Sequence, residues 1–163
     1  MLILSDFDGT ITTEDVTNFL WDRHGIPAWR DVLLPPYRAG EATTLETMDR
    51  GWRVISHNAE ALLCEARERI SLRNGFVDFV DGCGRRGWPF HVVSCGLDWY
   101  LRGFLSPEVP FTSYTGVLED GWRVRLPAAC TLADGDDFKI HVMRSLQARH
   151  PGLPTVFIGD GRK

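Results

Sequence analysis

The sequence predicts an α/β protein with a mostly parallel sheet and a helical module inserted after the first strand. Three observations carry this prediction. Short apolar runs, Leu2-Ile3-Leu4, Phe90-His91-Val92-Val93 and Thr155-Val156-Phe157-Ile158, alternate with segments of helical periodicity. Each run stops at polar residues: Ser5-Asp6-Phe7-Asp8, Ser94-Cys95-Gly96 and Gly159-Asp160-Gly161. The stretch between the first two runs is too long for a simple crossover. Residues 13–73 therefore read as an inserted helical cap, and residues 1–12 with 74–163 as the core.

Residues 2–6 read as a buried parallel strand. Thr13 is a candidate cap for a helix through Asp15, Phe19 and Leu20 to His24-Gly25. Pro27, Pro35 and Pro36 should break the next stretch, because proline removes a backbone donor. Thr43 or Thr44 then caps a helix through Leu45, Met48 and Trp52. Asn58 to Ile70 forms another, with Leu62, Leu63 and Ala66 on its apolar face. Asn74-Gly75 marks a boundary before a helix with Phe76, Val77, Phe79 and Val80 turned inward. The second strand, from Phe90, stops at Ser94, and Leu97 to Leu105 returns to helix. Val109 to Ser113 is a short strand, and Gly116 to Leu126 a hairpin turning at Asp120-Gly121. Asp137 to Arg149 is the last helix before the final strand.

Composition narrows the function. The chain has 163 residues, enough for one real core, and a net charge of −4 with no basic stripe, which argues against nucleic-acid binding. No apolar run approaches a membrane span, and the N-terminal run is too short for a signal peptide, so the expected location is the cytoplasm. Cys64, Cys83, Cys95 and Cys130 show no zinc-type spacing and read as reduced thiols. Arginine supplies nearly all the basic residues. The two lysines are Lys139 and Lys163, so Lys139 reads as a site that wants a compact ammonium charge.

Asp6 and Asp8 carry the chemistry. Residues i and i+2 of a strand share a face, and the C-terminal edge of a parallel sheet is where ligands bind. Gly9 permits a tight turn directly after them. Two acids, one to attack and one to move a proton, suit phosphoryl transfer through a carboxylate. Taken singly, Ser94 would be a turn serine, Lys139 a solvated cation and Asp160 a loop acid. Their joint occurrence at strand ends is the signal.

Asp-x-Asp, a strand-terminal serine, a helix-borne lysine and a strand-terminal Gly-Asp, in that order, resemble the four motifs of the haloacid dehalogenase superfamily. The resemblance covers essentially the whole chain. It implies a Rossmann-like core, Asp6 as nucleophile and Asp8 as acid/base. It also implies phosphate binding by Thr10, Ser94, Cys95, Gly96 and Lys139. Mg²⁺ would be held by Asp6, Asp160 and the backbone carbonyl of Asp8. An Asp at the second acid position points to phosphatases, and the place of the cap is similar to that of subfamily I, the phosphoserine phosphatase-like group. Asp15 stands where that group has a substrate-binding acid, and it also suits the start of a helix. The cap arginine that takes the phosphoserine carboxylate has only Arg50 as a counterpart here, offset by a residue.

A further likeness is to the methylthiopentenyl-phosphate phosphatases of methionine salvage. It rests on Asp6-Phe7-Asp8-Gly9-Thr10-Ile11-Thr12 with Asp15, on Ser94-Cys95-Gly96-Leu97-Asp98-Trp99-Tyr100, and on the hairpin leading to Cys130. The cysteines which that branch carries near its motif lysine are replaced by Ala133 to Phe138. A different small phosphate ester fits the resemblance equally well.

In this superfamily the fourth motif continues to a second acid and further core elements. The sequence stops at Lys163, so the reading is a core lacking its C-terminal part, less stable and less active than a complete homologue. The implied partner is a small phosphorylated metabolite. Two rival readings are transfer to an acceptor other than water, and a weakly active protein with a binding or regulatory role. Trp21, Trp29 and Trp52 read as the core of the cap more than as pocket walls.

Overall fold

The computed structural model describes residues 1–128, 130–133 and 137–160. Gly161, which closes the last motif, and Asp134-Gly135-Asp136, ahead of the lysine, lie outside the described residues. The elements in chain order are β1 (Leu2–Ser5), α1 (Val16–His24), α2 (Trp29–Arg38), α3 (Thr44–Trp52), α4 (Ala59–Arg69), α5 (Phe76–Arg85), β2 (Phe90–Leu97), α6 (Asp98–Phe104), β3 (Phe111–Glu119), β4 (Gly121–Arg125), α7 (Phe138–Arg149) and β5 (Thr155–Ile158). They form one five-stranded sheet in the order β4-β3-β2-β1-β5. All neighbours are parallel except the β3–β4 hairpin. This is the α/β architecture that the sequence predicts.

β1 is buried along its whole length because it pairs with β2 on one side and β5 on the other. β5 is an edge strand among the described residues, and Val156, Phe157 and Ile158 are exposed. β2 runs three residues beyond the predicted stop. Its register with β3 shifts between Val93 and Leu97, so Ser94-Cys95-Gly96 occupies an irregularity inside the strand. β3 fuses the predicted short strand with the first arm of the hairpin. Gly121, at φ 83°, opens β4 directly after the turn.

Four helices lie between β1 and α5. The cap of α1 is Asp15 and not Thr13: the Asp15 carboxylate accepts the Asn18 N–H at 2.7 Å. Thr43 and Glu46 close a full capping box on α3, and Asn58 caps α4. Pro35 and Pro36 do not break the chain but lie inside α2. Their missing N–H groups would have met the carbonyls of Asp31 and Val32, and both residues are exposed, so water can satisfy those oxygens. In α5, Phe76 and Cys83 are buried, whereas Val77 and Phe79 are exposed. Successive residues turn by about 100° in a helix, so Phe76, Val77, Phe79 and Val80 spread over roughly 160°, wider than the strip of α5 that the core covers.

The helical segment leaves and rejoins the core through one short antiparallel ribbon. Thr12 bridges Leu72, the Thr13 N–H donates to Ser71 O at 2.9 Å, and the Arg73 N–H donates to Ile11 O at 2.8 Å. Aromatic rings then tie the segment to the sheet. Trp52 of α3 packs edge-on against Trp99 and Trp122, and those two stack at 5.2 Å.

His91 of β2 lies 2.8 Å from the Thr112 hydroxyl of β3. Burial, then the charges of Arg149 and His150, lower its pKa to about 4. The unfolded chain binds the same proton near pH 6.5, roughly the unperturbed value. Between those limits the unfolded state takes up a proton that the folded state refuses, so this residue makes stability fall as pH falls. The melting temperature of the wild type should drop more between pH 7 and pH 5 than that of His91→Gln, roughly the range set by the unperturbed value. Parallel melts of the two proteins would check this.

Candidate active site

β1 ends at Ser5, and the Asp6 N–H still donates to Ile158 O of β5 at 2.8 Å. The chain therefore turns away from the sheet only after Asp6. The N–H groups of Thr10, Ile11 and Thr12 converge on Phe7 O, and Gly9 takes φ 72°. A Cβ at Gly9 would lie 2.6 Å from Asp160 Oδ2, so the glycine lets two strand ends approach. Thr10 fastens them: its hydroxyl donates to Asp160 Oδ1 at 3.2 Å and accepts the Asp160 N–H at 3.0 Å.

Each acid of the pair has its own partners. Asp6 Oδ2 receives Lys139 Nζ at 2.6 Å, from the first turn of α7, and both side chains are largely buried. Burial alone would lower the lysine's pKa, but the charge and hydrogen bond of Asp6 outweigh it and hold the ammonium charged. Asp8 Oδ1 accepts the Val16 N–H at 2.9 Å and Oδ2 accepts the Tyr100 hydroxyl at 2.8 Å. Burial of the Asp8 carboxylate, then the nearby Asp15 charge, push its pKa well above the ordinary carboxylate range. The bonds from Tyr100 and Val16 pull the other way. Asp15 is pushed up to about 6, chiefly by burial, against the pull of the Asn18 N–H.

The Ser94 hydroxyl accepts the Gly96 N–H at 2.9 Å and reaches toward Asp8 Oδ2 at 3.5 Å. Cys95 stands beside it with a thiol pushed up to about 11 by burial, so it is neutral near pH 7. A cavity of about 470 Å³ brings these groups together. Asp6, Asp8, Asp15, Ser94, Lys139 and Asp160 line one part of it, with Cys95 and Gly96. Trp21, Trp29, Leu34 and Met48 line the part toward the inserted helices. Thr10 is not in the wall and enters only through its bonds to Asp160. Trp21 and Trp29 are thus both buried core and pocket wall, whereas Trp52 is buried away from the cavity.

Among the described residues no three His, Cys, Asp or Glu side chains form a group able to hold a metal ion. Two carboxylates, Asp6 after β1 and Asp160 after β5, do reach the same cavity from neighbouring strands. Joined by the main-chain carbonyl of Asp8, they would make an all-oxygen donor set. That suits Mg²⁺, which takes one or two carboxylates and keeps several waters.

The model of the haloacid dehalogenase-like hydrolase family matches residues 3–163. The chain belongs to this family. Among curated proteins it is similar to a 2-hydroxy-3-keto-5-methylthiopentenyl-1-phosphate phosphatase from an Exiguobacterium species, at 31% identity over 134 residues. That match covers 78% of this chain and 61% of the relative. The chain thus spans about three fifths of the length of that relative. Among solved structures, a HAD family hydrolase from Salmonella enterica serovar Typhi superposes with TM-score 0.67 at 19% identity, covering 91% of this chain and 51% of that one. A phosphoserine phosphatase in a phospho-aspartyl intermediate analogue form superposes with TM-score 0.63 at 17% identity, covering 96% and 76%. At these identities the structures speak for the fold. The chain sets Asp6 and Asp160 just past the C-terminal ends of two neighbouring parallel strands, β1 and β5.

Several site residues were not legible. Tyr100 stands out in the sequence only as part of an aromatic pair, yet its hydroxyl is on Asp8. The one available signal was that a buried tyrosine needs a partner for its hydroxyl. Thr17 bonds that hydroxyl at 2.9 Å and gave no signal. Arg73 donates to the carbonyls of Gly9 and Thr10 at 2.8 and 3.0 Å, bracing the turn from the far side of the ribbon. Arg50 is exposed and does not line the cavity.

Gly9→Ala combines a left-handed backbone with a collision against Asp160. It should destabilise the fold by at least about 1–2 kcal/mol, the cost of a left-handed conformation for an alanine. Denaturant melts of the two proteins measure this.

Proposed function

We propose that this chain carries the catalytic site of a phosphomonoesterase acting on a small metabolite. The observation that carries the reading is the separate anchoring of the two strand-end acids within one cavity: Asp6 on Lys139, and Asp8 on Tyr100 and Val16. Family membership supports it, as does the phosphatase named among the relatives.

In this reading an Asp6 oxygen attacks phosphorus and the ester P–O bond breaks. The proton of Asp8 passes to the departing alcohol oxygen, leaving a phosphorylated Asp6. Water then attacks phosphorus and gives a proton to Asp8, and the bond between phosphorus and Asp6 breaks to release phosphate. Ser94 and the amides beside it take phosphoryl oxygens, and Lys139 offsets the charge that gathers on Asp6 and the phosphoryl group. Asp6, Asp160 and the Asp8 carbonyl would hold Mg²⁺, which lets an anionic carboxylate approach an anionic ester. Residues 13–73 act as a cap over the substrate.

The cap side of the cavity favours an ester with an uncharged, apolar tail. Trp21, Trp29, Leu34 and Met48 supply its apolar wall, and the polar groups beside them, Asn18, Tyr37, Thr44 and Thr47, are uncharged. Arg30, the arginine that lines the cavity, is paired with Asp22. Asp15 opposes a second negative charge, and Arg50 is out of reach. A methylthiopentenyl-type phosphate, as in the relative's name, meets these terms, whereas phosphoserine does not.

Phosphate release from an aryl phosphate should need Mg²⁺ and be abolished by EDTA. Asp6→Asn should be inactive with an unchanged melt, and Asp8→Asn should lose roughly 10²- to 10⁴-fold. Activity retained in Asp6→Asn would sink the assignment. Along a series of alkyl phosphates, kcat/KM should rise roughly fourfold for each methylene that the aromatic wall buries. Phosphoserine turned over better than an alkyl ester of equal length would overturn the substrate reading.

A further inference from the structure

Asp8 is held more tightly than a proton donor on a loop needs to be. Each carboxylate oxygen has a short partner, the Val16 N–H on Oδ1 and the Tyr100 hydroxyl on Oδ2, so its rotation is blocked at both ends. Tyr100 is 0% exposed. Its hydroxyl also lies 2.9 Å from the buried Thr17 hydroxyl. A phenol has one proton, and Asp8 receives it. Thr17 is therefore the donor in the second bond, and the order is Thr17 to Tyr100 to Asp8.

Room for this chain of hydroxyls is made deliberately. A Cβ at Gly96 would lie 1.9 Å from the Tyr100 oxygen and 2.7 Å from Asp8 Oδ2. Both ends of the clamp begin on the same element. Val16 and Thr17 form the first turn of α1, the first helix of the cap, whereas Tyr100 belongs to α6 of the core. A tyrosine serving packing alone would need any one acceptor. This one takes an oxygen of the proposed acid/base and is backed by the cap.

We propose that Tyr100, backed by Thr17, is a positioning residue that aims the Asp8 carboxyl at the leaving-group oxygen. The inference rests on the function proposed above. Tyr100 and Thr17 keep their own protons throughout. The proton that moves is that of Asp8, which goes to the ester oxygen as its bond to phosphorus breaks. Tyr100 fixes where that proton points.

The test uses leaving-group dependence, because a strongly basic alcohol needs its proton in the transition state and a weakly basic phenol scarcely does. Phosphate release is measured with an alkyl phosphate and with a nitrophenyl phosphate, for wild type, Asp8→Asn, Tyr100→Phe, Thr17→Val and Thr17→Ser. Tyr100→Phe should lose roughly 10- to 100-fold in kcat/KM on the alkyl ester, the range of one hydrogen bond to a carboxyl that gains its charge as the proton leaves, and several-fold less on the aryl ester. Asp8→Asn should show the same asymmetry. Thr17→Val should show it in weaker form, and Thr17→Ser should restore it to wild type. Should Tyr100→Phe not fold, Thr17→Val carries the same expectation.

Equal losses on both esters, or none, would overturn the role of Tyr100 while Asp8→Asn keeps its asymmetry. If Asp8→Asn itself shows no asymmetry, the acid assignment falls and this inference falls with it. A wild-type chain that releases phosphate from neither ester overturns both.

Discussion

The ion pair between Lys139 and Asp6 joins two elements 133 residues apart in sequence, β1 and α7. Two carboxylates borne two residues apart on one strand end repel, and burial raises that cost because the interior screens charge poorly. The ammonium removes the conflict by neutralising one acid. The other acid is then free to sit among hydrogen-bond donors and apolar rings. The pair also holds the first turn of α7 against the end of β1. This also explains why a chain so dependent on arginine places a lysine here. A guanidinium fork would demand a planar, two-oxygen contact, but Asp6 Oδ1 already accepts the Phe7 N–H at 2.8 Å.

Around this pair the molecule divides its labour between polar and aromatic layers. The polar layer lies at the C-terminal edge of β1, β2 and β5. The aromatic layer, Trp52, Trp99, Tyr100 and Trp122, lies between the inserted helices and the hairpin. Tyr100 belongs to both, ring in one and hydroxyl in the other. Trp122 Nε1 donates to His57 O at 2.9 Å and the Val124 N–H donates to Asp49 Oδ1 at 2.9 Å, so β4 is bonded to the insert as well as packed against it. The hairpin thus extends the sheet and holds the inserted helices at once.

The strands and the strand-end acids were readable because apolar runs and their polar stops are local signals. Asp6, Asp8, Ser94, Lys139 and Asp160 do meet around one cavity, as their order in the chain suggests. What could not be read depends on three-dimensional neighbours. Pro35 and Pro36 look like breakers until the exposure of Asp31 and Val32 is known. The extension of β2 through Leu97 depends on its partner β3, because a register shift has no sequence signature of its own. The cap of α1 moved from Thr13 to Asp15 because Thr13 is occupied in the ribbon with Ser71. The link from Thr17 through Tyr100 to Asp8 spans three elements, and no periodicity reports it.

The paired ribbon of residues 11–13 and 71–73 means that the helical segment begins and ends at almost the same point in space. Its length is therefore decoupled from the geometry of the sheet. Helices could be added to the insert or removed from it without changing the distance that the core must span. The closure entropy grows only slowly with the length of the loop. A scaffold joined in this way can exchange the walls of its pocket while the strand ends that hold the acids keep their register. What has to stay is the first turn of α1, next to the ribbon, where Val16 bonds Asp8 and Thr17 bonds Tyr100, and the helices beyond it are the ones that can vary.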